Sequence, residues 1–241
     1  MADLNSSLLL PFIVLLPLIA ALSGFLSRRN TVQSVLNVGF ACLLFLTVAM
    51  LTFLFYKENT YQSEVYEIGR WGAPLGIDLL VDVFSMVMIS LTGVLTFILT
   101  IYSTVYYAND AQRIRFWPLW WLLIAGLNAL FVSADAFNIY VCLEIIGLSA
   151  AALVALQSTR AALEAALRYL LVGLLGSLFY LMAVVILYRS HGTLDLAQIA
   201  ASSSNGFPDQ IAMILITIGL LLKIALFPLH FWLPPAHANA P

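Results

Sequence analysis

Long apolar runs separated by short polar clusters make up most of the chain. Seven runs are near or above the roughly 20 apolar residues that a helix needs to cross a bilayer. They cover 8–26, 32–56, 79–107, 116–132, 136–156, 169–188 and 211–227. The first holds Pro11 and Pro17 and is closed by Arg28 and Arg29. The loop 57–78 carries Glu58, Glu64, Glu67 and Arg70, and its alternating stretch YQSEVYEIGRW predicts a small hairpin outside the lipid. The third run is long enough to tilt or protrude, and Asp110, Arg113 and Arg115 follow it. Trp117, Trp120 and Trp121 open the fourth, in the manner of an interfacial aromatic belt. The segment 157–168, QSTRAALEAALR, predicts a short surface helix. Ser158 or Thr159 caps it, and Glu164 stands four residues from both Arg160 and Arg168. Gly173 and Ser177 give the sixth run a small-xxx-small face for close helix contact. The loop 189–210 holds HGTLDLAQIA, a second short helix, and the turn SSSNG.

The pattern predicts an all-α integral membrane protein of about seven transmembrane helices, the seventh broken at Pro228. It reads as a single membrane domain over 1–241, with the first four spans in 8–132 and spans five to seven in 133–241. Composition agrees: 63% of residues are hydrophobic and 9% charged, against about 25% charged in soluble domains. A net charge of −2 without a basic patch excludes nucleic-acid binding. Cys42 and Cys142 both fall in apolar runs and read as small core residues. No acid or histidine cluster has metal-ligand spacing, so no metal site is expected. No basic residue precedes the first run, which reads as a retained span rather than a cleaved signal peptide.

Basic residues set the orientation. Arg28, Arg29, Arg113, Arg115, Arg160 and Arg168 share one side, and Lys57, Arg70 and Arg189 the other. The richer side is expected to be cytoplasmic. The N-terminus then faces outward from the cell (inner) membrane and the C-terminus is cytoplasmic.

Ionisable residues inside spans are costly, usually paired and usually functional. Glu144 lies near the middle of the fifth run, on one face with Tyr140 and Gly147. Lys223 lies in the seventh run, five residues before Pro228, which removes a backbone donor and clashes one turn back. Such a break is tolerated where protein or a water-filled cavity satisfies the freed groups. Glu144 and Lys223 are therefore the candidate proton pathway. Burial loosens a lysine's hold on its proton and a nearby carboxylate restores it, so a change in separation switches proton affinity. The plainer readings are a Glu144 that locks two helices by pairing a buried base, and a Lys223 that snorkels to an interface. His230, after the break, is the third pathway candidate, because histidine titrates near neutral pH. His237 and Asp82 are secondary: each also suits an interfacial cap, and for Asp82 that role is the expectation.

At these residues the sequence resembles a known family. FNIYVCLEIIGLSAAALVAL resembles the fifth span of the antiporter-like subunits shared by complex I, membrane-bound hydrogenases and Mrp cation/proton antiporters. ALRYLLVGLLGSLFYLMAVVILYRSHGTLDLAQIA is similar to the span and loop that follow. GLLLKIALFPLHFWLPPAHANAP looks like the family's motif of a span-embedded lysine before P-x-H-x-W-L-P-D-A-H, with Pro235 in place of the aspartate. The resemblance is loose before Asp78 and close from Asp135 onward, and nearest to the D-type members of Mrp antiporters and their hydrogenase relatives. It implies a fold of about 14 helices in two inverted repeats. It also implies that Glu144 pairs with Lys223 in a broken seventh span, and that His230 follows the break. The chain ends at Pro241, before the position of the family's eighth span. It is thus expected to be a partial antiporter-like fold lacking the second repeat, with another polypeptide supplying the missing helices or the product truncated.

Three functions follow. The first is a proton-translocating subunit of a multisubunit Na+(K+)/H+ antiporter, with Glu144 and Lys223 gating proton transfer. The second is a proton-pumping membrane subunit of an NADH:quinone oxidoreductase or membrane-bound hydrogenase. The third is a structural half-subunit without its own ion path. No catalytic chemistry and no nucleotide, flavin or iron–sulfur motif is legible, so no cofactor is expected, and any oxidoreductase activity would reside in other subunits. The implied partners are other membrane subunits, protons with Na+ or K+, and the lipid bilayer.

Overall fold

Helices account for nearly all of the computed structural model, which describes residues 9–27, 30–57, 64–72, 74, 76–107, 112–204 and 206–240. In order these are α1 (Leu10–Leu26), α2 (Asn30–Lys57), the strands β1 (Glu64–Glu67) and β2 (Asp78–Val81), α3 (Val83–Tyr106), α4 (Arg113–Phe131), α5 (Ala136–Val154), α6 (Arg160–His191), α7 (Leu196–Ser202), α8 (Phe207–Lys223) and α9 (Leu233–Asn239). Arg28, Arg29, Glu58, Asp110 and Asn205 of the predicted loops lie outside the described residues.

The chain is a multi-pass membrane protein. Among the described residues five helices, α2 to α6, are long and apolar enough to span a bilayer. The first and seventh predicted spans are shorter, at 17 residues each, which is about 25 Å of helix. Large apolar side chains stand outward, among them Phe25, Leu26, Val105 and Phe227, each at least 75% exposed. Lipid, not water, is the solvent that suits such a surface.

Two compact units divide the chain: Met1–Tyr66 with Leu79–Val132, and Glu67–Asp78 with Ser133–Pro241. In the first, the core runs from Leu10 and Ile13 of α1 through Leu44 and Leu51 of α2 to Trp121 and Ile124 of α4. Pro17 lacks the N–H that would bond the carbonyl of Ile13 one turn back. Asn128 of α4 supplies the donor instead, its Nδ2 lying 2.8 Å from that oxygen. A polar ladder crosses the same unit. Arg113 Nε donates to Gln33 Oε1 at 3.0 Å, Gln33 Nε2 to the Gly24 carbonyl at 3.1 Å, and Trp121 Nε1 to Asn37 Oδ1. Trp117 and Trp121 are fully buried, so the predicted interfacial belt is packing instead. Trp117 sits against Gly24, where an added Cβ would lie 3.4 Å from the tryptophan's own.

Two local expectations are corrected. The surface helix predicted over 157–168 is continuous with the sixth span: α6 runs unbroken for 32 residues. Thr159 caps it, accepting from Ala162 N–H at 3.2 Å, and no proline or unpaired polar group stops it before Gly192 at φ 69°. The stretch 61–71 does not pair with itself among the described residues: it supplies the single strand β1, whose partner is β2, at the start of the predicted third span. Asp135 and Asp195 face each other in an antiparallel bridge, and each caps a helix. Asp135 accepts from Asn138 N–H at 2.6 Å and Asp195 from Gln198 N–H at 2.7 Å. Asp78 joins them through its backbone, its carbonyl accepting from Ala134 N–H at 3.1 Å. Burial, then the charges of Glu67 and Asp195, push the Asp78 carboxyl above the usual carboxylate range. Burial does the same to Asp135, against the backbone hydrogen bonds that lower it.

Candidate functional site

The site lies in the second unit, where α5, α6 and α8 meet. Close approach sets its geometry. A Cβ added at Gly176 of α6 would stand 2.8 Å from the Gly219 carbonyl of α8 and 3.3 Å from Lys223 Cγ. Only glycine fits at so tight a crossing. Gly173, the expected contact, has nothing within 4 Å of an added Cβ. The small-residue contact is thus made three residues further along α6, on the face toward α8.

Lys223 is the last residue of α8. The helix is interrupted by Pro228, and the interruption takes effect one turn earlier. Proline clashes with the carbonyl of residue i−4, which is Ile224, and disfavours helix in the residue before it. Ile224 caps the end of α8, Ala225 turns to φ 52°, and the Phe227–Pro228 peptide bond is cis. The freed carbonyls find donors. Leu226 N–H donates to Leu221 O at 3.2 Å and the Trp232 indole to Leu222 O at 3.1 Å. Trp232 is itself held by Tyr169, their rings stacked at 4.6 Å and 4°, beside Val154, Ala165 and Ala225. A cation at the C-terminal end of a helix also meets the favourable end of its dipole.

Glu144 projects from the middle of α5 toward this point. Lys223 Nζ lies 3.5 Å from Glu144 Oε1, with the two side chains 13% and 19% exposed. Opposite charges so far from water attract much more strongly than a surface pair, and each removes the penalty of burying the other. The same Oε1 accepts a second bond, from the Ser177 hydroxyl of α6. In the sequence Ser177 is legible only as a small packing residue. The missed signal is its hydroxyl, one turn past Gly173 in a run otherwise apolar.

The remaining candidates are not gathered here. His230 Nδ1 is buried without a hydrogen-bond partner, and its ring lies 5.5 Å from that of Phe227. Among the described residues no bond joins it to Lys223 or Glu144. His237 is exposed near the end of α9. Asp82 belongs to the first unit and caps α3, its Oδ1 accepting from Ser85 N–H at 2.7 Å. His191 carries no signal in the sequence pattern, yet it bridges Asp209 Oδ1 (2.8 Å) and Ser202 Oγ (2.9 Å) where α6, α7 and α8 come together.

Apolar helices of this length around a buried ion pair at a helix break define a multi-pass membrane protein with a charge pair in its interior. Residues 133–241 match the family described as NADH:quinone oxidoreductase/Mrp antiporter, transmembrane. The D-type component of the Na(+)/H(+) antiporter of Alkalihalophilus pseudofirmus is 28% identical over 99% of this chain and 48% of its own length. The N-type component of the NADH-quinone oxidoreductase of Desulforudis audaxviator is 34% identical over 95% of this chain and 46% of its own. A chain of the membrane-bound sulfane sulfur reductase, an archaeal respiratory membrane complex, has the same fold. Its TM-score is 0.87 at 27% identity, over 96% of this chain and 48% of that one. The chain therefore spans about half the length of the relatives it matches.

Proposed function

We propose that this chain is a proton-translocating subunit of a multisubunit Na+(K+)/H+ antiporter, and that Glu144 and Lys223 gate proton transfer within it. The observation that carries the reading is the 3.5 Å contact between these two largely buried charges beside an interrupted helix. The relatives named as D-type components of Na(+)/H(+) and K(+)/H(+) antiporters support the transport class. In this account Lys223 holds a proton while the Glu144 carboxylate lies beside it, and gives it up when Glu144 withdraws or is neutralised. A one-unit change in proton affinity corresponds to about 1.4 kcal/mol, and modest changes in separation at low dielectric supply that much. His230, with its unpartnered ring nitrogen, is the next carrier after the break. His237 and Asp82 stay secondary, as an exposed side chain and a helix cap. Other membrane subunits are its partners, and protons with Na+ or K+ its ions. It sits in the cell (inner) membrane with the N-terminus outward and the C-terminus cytoplasmic.

A second reading, a proton-pumping subunit of a quinone-reducing complex, is favoured by the 34% identity to a component of an NADH-quinone oxidoreductase. Cation-dependent proton flux in vesicles carrying the chain with its partner subunits tests both. Antiport predicts flux driven by a Na+ or K+ gradient without a redox substrate, abolished by Glu144→Gln and by Lys223→Ala with assembly intact. Flux that needs an electron donor supports the second reading. Flux unchanged by either substitution leaves a structural subunit and overturns the gating role.

A further inference from the structure

Glu144 Oε1 has two donors, Lys223 Nζ at 3.5 Å and the Ser177 hydroxyl. The serine oxygen also lies 3.1 Å from the carbonyl of Gly173, one turn back on α6. A hydroxyl has a single proton to give, so these two bonds exclude each other. Ser177 is 2% exposed, which denies it water as a third partner. Its neighbour Gly176 is pressed against the Gly219 carbonyl and the stem of Lys223. The backbone that carries Ser177 is thus fixed with respect to the lysine, while the hydroxyl can still turn.

We infer that Ser177 is a positioning residue which competes with Lys223 for one oxygen of Glu144 and thereby sets how tightly the pair holds its proton. With the hydroxyl on Glu144, the carboxylate is partly satisfied and the ammonium is held loosely, in keeping with a separation near the limit of a hydrogen bond. With the hydroxyl turned to Gly173, the ammonium becomes the sole donor to Oε1 and the pair closes. A single rotation thus separates a loose from a tight state, without moving a helix. Several other titratable groups on these helices are engaged elsewhere. Tyr140 and Tyr180 pack with Ala136 and Val184, Tyr169 stacks on Trp232, and Asp209 bonds His191.

The inference rests on the proposed role of the pair, and the test keeps the two apart. Proton flux is measured against pH in vesicles carrying the assembled complex, for wild type, Ser177→Ala, Ser177→Thr, Ser177→Cys, Glu144→Gln and Lys223→Ala. Loss of the hydroxyl leaves Lys223 as the only donor, so Ser177→Ala is expected to move the pH midpoint of flux upward by about half a unit or more. Ser177→Thr, which keeps the hydroxyl, restores the wild-type midpoint. Ser177→Cys, similar in size but a weak donor, follows alanine and reports even if the alanine variant fails to assemble. A wild-type midpoint in the alanine or cysteine variant, whatever its amplitude, overturns the role of Ser177 while the pair stands. Normal flux in Glu144→Gln and Lys223→Ala overturns the pair, and this inference with it.

Discussion

The indole N–H of Trp232 donates to the carbonyl of Leu222, 3.1 Å away, immediately before Lys223. Helix ends leave carbonyls without intrahelical partners, and in a membrane no water replaces them. The bond therefore secures the helix end that carries the lysine. Trp232→Phe keeps an aromatic ring for Tyr169 to stack on but removes the donor. The Leu222 carbonyl keeps only its longer bond from Ala225 N–H at 3.4 Å, and the loss of the indole bond costs about 0.5–1.5 kcal/mol. Thermal unfolding in detergent is expected to show that loss, and an unchanged melting temperature would refute the capping role.

The crossing of α6 and α8 yields a paired prediction. Gly176→Ala forces a methyl group to within 2.8 Å of the Gly219 carbonyl, so the helices must separate and Lys223 moves away from Glu144. Destabilisation of about 1–3 kcal/mol and strongly reduced flux are expected. Gly173→Ala enters open space on the same helix and gains up to about 1 kcal/mol from helix propensity. Equal tolerance of the two in melting and flux assays would contradict the crossing.

Asp78 bears on the pH dependence of stability. Its carboxyl is held above the ordinary value by burial and by Glu67 and Asp195, and its Oδ1 is buried without a hydrogen-bond partner. In the window between the ordinary and the raised value, the folded state binds more protons than the unfolded state. Stability from this group is thus present at low pH and lost as pH rises through the raised value. Asp78→Asn removes the charge and keeps the backbone bond to Ala134. The variant is expected to melt higher than wild type at pH 8, with a smaller difference at pH 5. An equal difference at the two pH values would rule out the carboxylate as the cause.

What is legible in the sequence follows from rarity. Glu144 and Lys223 stand out because charges in apolar runs are few, and a proline five residues after a lysine marks a break. Their separation is not legible, since it depends on Gly176 and Gly219 letting two backbones touch. Ser177 escapes notice because a small residue on a packing face has the same pattern whether or not its hydroxyl is used. Trp117 and Trp121 mislead for a related reason. Aromatics beside a polar turn have one signature whether they face lipid or a neighbouring helix, and Gly24 and Asn37, far off in sequence, decide it. The join of 157–168 to the sixth span is hidden because polar residues at a helix start resemble a surface helix until the missing breaker is noticed.

Proton gating by the pair requires Glu144 and Lys223 to act as one unit. A double-mutant cycle on proton flux, in vesicles holding equal amounts of assembled complex, tests it most directly. Wild type, Glu144→Gln, Lys223→Ala and the double variant are compared. Residues that work as a pair are non-additive, so the double variant is predicted to be no slower than the slower single variant. Losses that multiply in the double variant, or no loss in any of them, would contradict the account.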